Sequence, residues 1–346
     1  IFGAGNIGRG FLGLELHTNG HDLVFVDSNP DAIALLNERR AYEIEIAETG
    51  ERVSVPVARA ISVYDEDSIK QSVRSATIVT TAVGPNYLAD VGRSLSQPLI
   101  ERAAQQDFLN VIACENMVDN SRTLKRGIAS GLARNQRDIL ATFIGFPSSV
   151  VDRISIPSLG TTRVEKDYEW VADGNLWKSF VPPNCIKFVD ELDPYLKRKL
   201  YVLNGAHAII GFMGGNFEYV HEAMQQPEIR RTVIGHMNEA SAGLSTKYGF
   251  TNTELEGYQE NILRRFDNPS VNDLTSRLVR GQIRKLGREE RLVGPALLAL
   301  ESGIEPVNIA RGIVALLRYQ NERDQESLEL RSALNQYGLR GTMQKY

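Results

Sequence analysis

Cysteine is nearly absent. The 346-residue chain has two, Cys114 and Cys185, far apart and outside any Cys-x-x-Cys pattern. That excludes a disulfide scaffold and predicts two free thiols in a reducing compartment, the cytoplasm. Histidine is scarce too, at five residues, and His17, His21, His221 and His236 show no ligand spacing, so no metal centre is expected. No apolar run approaches the roughly 18 residues of a membrane span, and no signal-peptide pattern is visible. Neither charge sign is in excess. A net charge of −4 with 24% charged residues makes no electrostatic case for nucleic acid or an anionic membrane, although local basic patches remain available to a small anion. Repeats and low-complexity tracts are missing. What is left is a chain long enough for two domains and a sizeable core.

Glycine is present where it matters. Gly3, Gly5 and Gly8, within Ile1-Phe2-Gly3-Ala4-Gly5-Asn6-Ile7-Gly8-Arg9-Gly10-Phe11-Leu12, have the G-x-G-x-x-G spacing of a dinucleotide-binding turn. The first glycine permits the turn, the second admits a pyrophosphate, and the third lets helix and strand pack closely. Glycines at this spacing also occur by chance, so context decides. A helical pattern follows through Leu16 to Asn19-Gly20, then a strand, Leu23 to Val26, ending on Asp27. This acid lies nineteen residues beyond Gly8, where a Rossmann unit holds the carboxylate that binds a ribose hydroxyl. Gly3, Ala4, Gly5, Asn6, Ile7, Gly8 and Asp27 are therefore candidate nucleotide ligands. Only Ile1 and Phe2 precede the turn, so a few more residues of the first strand are expected upstream.

Strand and helix alternate through about residue 157. Tyr42–Ala47 and Arg52–Val57 read as an inserted hairpin. Ala76–Val83 is a buried strand closing on Gly84-Pro85, and Asn110–Cys114 another; a helix is expected from Ser121 toward Ala133 and strand material at Ala141–Gly145 and Val151–Ile156. The pattern predicts an α/β class, a Rossmann-type doubly wound sheet over residues 1–157. Ligands bind at the carboxyl ends of such strands, where Asp27, Ala82-Val83-Gly84 and Glu115-Asn116 fall. Residues 158–346 read as a mainly α-helical substrate domain, with short strands near Glu169–Val171 and Ile186–Val189. Asp193-Pro194 opens a helix that runs to Gly214-Gly215. Others cover roughly Pro227–Tyr248, Asn252–Phe266 (with a Thr251/Glu254 capping box), Arg288–Ser302, Pro306–Gln320 and Gln325–Gln336.

The Asp193 helix carries Lys199, Asn204 and His207. In an ideal helix Asn204 lies about 140° and His207 about 80° around the axis from Lys199, so the three share one face. A lysine, an amide and an imidazole together can abstract, hold and orient a hydroxyl proton. The alternative is a solvated Lys197-Arg198-Lys199 turn and a core histidine with a backbone partner.

The glycine-rich stretch through Phe11 and the helix motif Lys199-x-x-x-x-Asn204-x-x-His207 resemble the polyol-specific long-chain dehydrogenase/reductase family. Thr80–Gly84, Ala113-Cys114-Glu115-Asn116-Met117, Val151-Asp152-Arg153-Ile154, and Arg265-Phe266-x-Asn268-Pro269 followed by Arg277 and Arg284-Lys285-Leu286 agree with it, in order along nearly the whole chain. The wording around Asn6 and Arg9 is similar to members that act on a phosphorylated hexitol. The resemblance implies metal-independent hydride transfer between C5 of a hexitol phosphate and NAD, with fructose 6-phosphate as the ketose. Lys199 is then the general base, which requires a lysine titrating near working pH. Asn116 and Asn204 stabilise the alkoxide, and His207 holds a neighbouring hydroxyl. Asp152, Arg277 and Lys285 match polyol-gripping positions, with Asp152 paired to Arg153 or a nearby arginine as the alternative. Arg280 and Arg284 beside Arg277 form a donor fork for phosphate, against the alternative of a solvated helix face, and Arg9 is placed to reach a phosphate. Within the family, a hexuronate reductase or a mannitol 2-dehydrogenase is the rival, and outside it a non-catalytic NAD-binding sensor. The chain departs from the family pattern by lacking a proline near Gln282, by Lys197 where a glutamate is common, and by a short Ser158–Arg163 segment. The expected partners are a sugar phosphate and no nucleic acid or membrane; the expected state is a monomer or weak homo-oligomer.

Overall fold

The computed structural model describes residues 1–117, 120–158, 161–178 and 181–346. Two compact units divide at Leu192/Asp193.

In the first unit the strands are β1 (Val24–Asp27), β2 (Ala41–Ile46), β3 (Arg52–Pro56), β4 (Arg59–Ser62), β5 (Ile78–Thr81), β6 (Leu109–Ala113), β7 (Ile144–Gly145), β8 (Ser149–Asp152), β9 (Ser155–Ser158), β10 (Thr161–Val164), β11 (Glu169–Asp173) and β12 (Lys187–Val189). Phe2 bridges Val26 and Thr81, both in parallel. This joins β4-β1 to β5-β6-β7 in one all-parallel sheet. Every residue of β6 is buried, as a parallel strand covered on both faces requires. The two faces alternate. Val26, Leu109 and Val111 pack with Ile69, Leu88, Leu95 and Leu124 from the helices Glu66–Ser75, Leu88–Ala104 and Asn120–Ala129. Phe25 and Ile112 turn the other way, toward Phe11, Leu12, Ile44 and Trp170.

That second face departs from a purely helical cover. Beside the helix formed by Gly8–Gly13 and Leu14–Thr18 it carries strands. The expected hairpin β2-β3 is antiparallel and extended by β10 and β9, and β11 pairs with β8 and β12. β10 and β11 therefore pair with strands from earlier in the chain, inside the first unit, whereas the reading of the sequence assigns them to the second. Register with a strand more than a hundred residues away leaves no local pattern. The helix Arg134–Phe143 lies partly where strand material is expected, and Leu159 and Gly160 of the short segment lie outside the described residues.

The second unit is helical. Pro227–Tyr248 is its long axis and packs against Asn204–Met213, Val293–Glu301 and Val307–Arg318, with Ile209, Val233, Met237, Leu244 and Leu316 in one core. It ends at Gly249, whose φ of 74° permits the left-handed cap. Thr251 caps Asn252–Phe266: its backbone N–H donates to Glu254 Oε2 at 2.9 Å and its hydroxyl accepts from Glu254 N at 3.3 Å. The expected Arg288 helix starts only at Val293, and the last helix runs to Lys345 across a break at Gly338.

Candidate active site

In the first unit the glycines divide their work. Gly3 has φ +96°, and a Cβ there would meet the Ala82 carbonyl oxygen at 2.5 Å. A Cβ on Gly8 would stand 1.8 Å from the Gly3 oxygen. Neither site admits a side chain. Around Gly5 nothing lies within 4 Å of the same position, so its missing side chain leaves open space, the room a pyrophosphate needs. Gly10 has a separate cause: a Cβ would strike Ser155, Thr162 and Val164, so the helix could not seat on β9 and β10.

Asp27 ends β1 half-buried. Its Oδ2 accepts from Ala4 N at 2.6 Å and its Oδ1 from Asn29 N at 2.8 Å, so the carboxylate braces the glycine turn while each oxygen keeps a lone pair for a ribose hydroxyl. The β5 end is held by Glu115, a buried acid that accepts from Thr81 Oγ1 at 2.7 Å and Val83 N at 3.0 Å. This fastens Ala82, Val83 and Gly84 (φ +89°) beside exposed Asn116. Asp152 ends β8. Arg153, considered as its partner, binds Glu15 at 2.6 Å and the Glu165 carbonyl at 2.9 Å. Tyr42 donates to the Arg9 carbonyl.

In the second unit Lys199 is buried, 7% exposed, and opens a π-helical turn, Lys199–Leu203. Asn204 N–H is shared by the carbonyls of Leu200 and Lys199. A turn closed over five residues absorbs about one residue more than an α turn, so Asn204 moves from about 140° to about 40° from Lys199, and His207 to within about 20°. The wide turn thus draws the three side chains closer to one line than an ideal helix does.

His207 faces a residue that pattern reading missed. Its Nε2 is 3.1 Å from Asp273 Oδ2, and its ring centroid is 4.5 Å from that of Phe266. Burial lowers the His207 pKa, with the Asp273 carboxylate acting against it. Burial by itself would raise Asp273, but His207 and Arg277 hold it well below the usual carboxylate range. Arg277 grips the same carboxylate through Nε and through Nη2 at 2.6 Å. The only sequence signal was an acid four residues before Arg277.

The basic cluster splits. Arg280 and Arg284 are exposed, Arg284 lying 3.8 Å from Glu290. Lys285 is buried, donating to the carbonyls of Leu278 (2.6 Å) and Arg280 above the Phe212 ring. Burial, then Arg291 and Arg284, push its pKa down to about 7. Gln282 is fully buried and donates to the Leu316 carbonyl at 3.1 Å. Lys197 binds Glu289 at 2.7 Å and the Tyr201 hydroxyl at 3.2 Å. Both cysteines are free and buried. Among the described residues no three His, Cys, Asp or Glu side chains converge, and no helix is long and apolar enough to cross a membrane.

A Rossmann sheet with a glycine cradle, joined in one chain to a helical unit bearing a lysine–amide–imidazole face, defines an oxidoreductase of the nucleotide-dependent dehydrogenase class. The chain belongs to the mannitol dehydrogenase family: the model of that family's Rossmann domain matches residues 1–181 and that of its C-terminal domain residues 191–337. It is 39% identical to a mannitol-1-phosphate 5-dehydrogenase of Bacillus subtilis (strain 168), over 99% of this chain and 93% of that one. It is 36% identical to the enzyme of the same name from Buchnera aphidicola, over 99% and 92%. Its fold is that of a D-sorbitol dehydrogenase (TM-score 0.77, 16% identity, 93% of this chain and 81% of that one) and of Pseudomonas fluorescens mannitol 2-dehydrogenase solved with NAD and D-mannitol (TM-score 0.74, 17% identity, 98% and 84%).

Proposed function

We propose that the chain catalyses the reversible NAD-dependent oxidation of D-mannitol 1-phosphate at C5 to D-fructose 6-phosphate, in the cytoplasm. The observation that carries this is near-full-length identity of 36–39% to relatives that bear that activity in their names, with Lys199, Asn204 and His207 aligned on one helix. Bound NAD supplies the hydride acceptor. The open space at Gly5 and the braced loop at Asp27 suit its pyrophosphate and ribose.

Lys199 takes the C5 hydroxyl proton as the hydride departs and returns it in the reverse direction. The Asn204 amide donates to the oxygen as it gains charge, and the family resemblance assigns Asn116 an oxyanion-stabilising role. His207, with Asp273 Oδ2 3.1 Å from its Nε2, holds a neighbouring substrate hydroxyl. Arg280 and Arg284, exposed and close in sequence, are the donors assigned to the phosphate. Arg277 spends part of its guanidinium on Asp273 and presents the rest, its side chain being 45% exposed. The buried Lys285 shapes this segment through two carbonyls.

The test is a panel of fructose 6-phosphate, fructose and two hexuronates with NADH. Fast turnover is expected only with the first; equal rates on free fructose would remove the phosphate from the reading.

A further inference from the structure

We propose that His236 is a positioning residue for this chemistry: its imidazole holds open the π turn that aligns Lys199 with Asn204 and His207. The proposal rests on Lys199 being the base. His236 sits mid-way along Pro227–Tyr248 and is completely buried. Its Nε2 lies 2.8 Å from the Tyr201 carbonyl oxygen, inside the π turn and two residues after Lys199. A carbonyl can only accept, so Nε2 carries the hydrogen. The other nitrogen, Nδ1, is buried with no hydrogen-bond partner among the described residues, as fits an unprotonated ring nitrogen.

Space confirms that the contact is built. A Cβ on Gly205 would lie 2.3 Å from His236 Nε2 and 2.6 Å from the Arg291 carbonyl oxygen. Gly205 follows Asn204 directly and stands four residues beyond Tyr201, the distance at which an α-helix would return its own N–H to the Tyr201 carbonyl. The imidazole thus supplies a donor to that carbonyl from outside the helix, over a position kept free of a side chain. The nearest acid on the same helix, Glu239, is occupied elsewhere, accepting from Asn308 N at 2.8 Å and Ile309 N at 2.9 Å. A side chain inserted against the helix ladder is one of the few causes that maintain such a distortion. Without it the turn can relax toward α geometry, which rotates Asn204 and His207 away from Lys199.

The experiment compares His236→Leu, His236→Gln and Lys199→Ala in the full chain, by steady-state kinetics with fructose 6-phosphate and NADH. A glutamine amide can reach the Tyr201 carbonyl; leucine cannot donate. His236→Leu is expected to lose roughly 10–100-fold in kcat with KM nearly unchanged, since misplacement of a reacting group by about 1 Å has that effect. The limb of its pH–rate profile that reports Lys199 should shift, and His236→Gln should recover both. A folded His236→Leu with wild-type kcat and profile overturns the proposal, as does loss in His236→Gln equal to that in His236→Leu. If His236→Leu does not fold, nitrogen NMR of histidine-labelled wild type decides: an Nε2–H tautomer with bare Nδ1 at neutral pH supports the assignment, and an Nδ1–H tautomer refutes it. Lys199→Ala keeps the two readings apart. Near-normal turnover in that variant removes the base itself, whereas an inactive, folded Lys199→Ala beside a fully active His236→Leu removes only the positioning role.

Discussion

Asp273→Asn tests the part of the site that tertiary structure alone revealed. The substitution keeps the shape of the side chain and removes its charge. In the native protein Asp273 is 6% exposed and accepts from Arg277 while facing His207 Nε2 at 3.1 Å. A charge-assisted hydrogen bond contributes about 1.5–3 kcal/mol. The Arg277 side chain is 45% exposed, so solvent screens its share, and about 2 kcal/mol of stability is the expected loss at pH 7. The same loss of orientation at His207, felt in the transition state, corresponds to about 10–100-fold in kcat. The pH dependence has a definite sign. Asp273 has a folded pKa held below its ordinary value of 3.8, so its contribution is full above about pH 4 and is lost as pH falls through the lower folded value. Wild type and variant should therefore differ in denaturant midpoint at pH 7 and converge in strong acid. Urea melts at several pH values and NADH oxidation rates give both readouts. A variant that melts with the wild type at pH 7, or that keeps kcat within about threefold, would refute the account of this triad.

Three further outcomes are expected. Lys199→Ala should lose on the order of 10²–10⁴-fold in turnover while still binding NADH, as measured by fluorescence titration; normal turnover would exclude Lys199 as the base. Gly5→Ala should melt like the wild type, because nothing lies within 4 Å of the added carbon, yet bind NADH poorly, whereas Gly3→Ala, with φ +96° and a 2.5 Å clash, should lose both stability and binding; intact NADH affinity in Gly5→Ala would contradict the open-cradle assignment. NADPH should be a poor substitute for NADH, because the Asp27 carboxylate repels a 2′-phosphate, and comparable kcat/KM with the two cofactors would displace Asp27 from the ribose.

Some elements were legible because their causes are local. The capping box at Thr251, the end of a helix at Tyr248 and the buried strand β6 depend on residues within a few positions of one another, and they stand where the sequence places them. The site divides along the same line. Spacing alone put Lys199, Asn204 and His207 on one face, but it assumed an ideal helix. The π turn that brings them nearer depends on His236 and Gly205, thirty-one residues apart in the chain. Lys285 matched a polyol-gripping position of the family; its burial over Phe212 comes from how the segment folds back on the Asn204–Met213 helix.

By itself the sequence determined the nucleotide turn, the alternation that makes a parallel sheet, the helical second half and the residues able to move a proton, since each follows from steric rules, periodicity or side-chain chemistry over short spans. Tertiary structure alone decided that β10 and β11 complete the first unit, that Asp273 lies against His207, that Glu115 ties the β5 and β6 ends together, and that Lys285 is buried. Those depend on strand register and on buried partners distant in the chain, where the low dielectric of the interior makes one contact decisive and no local pattern announces it.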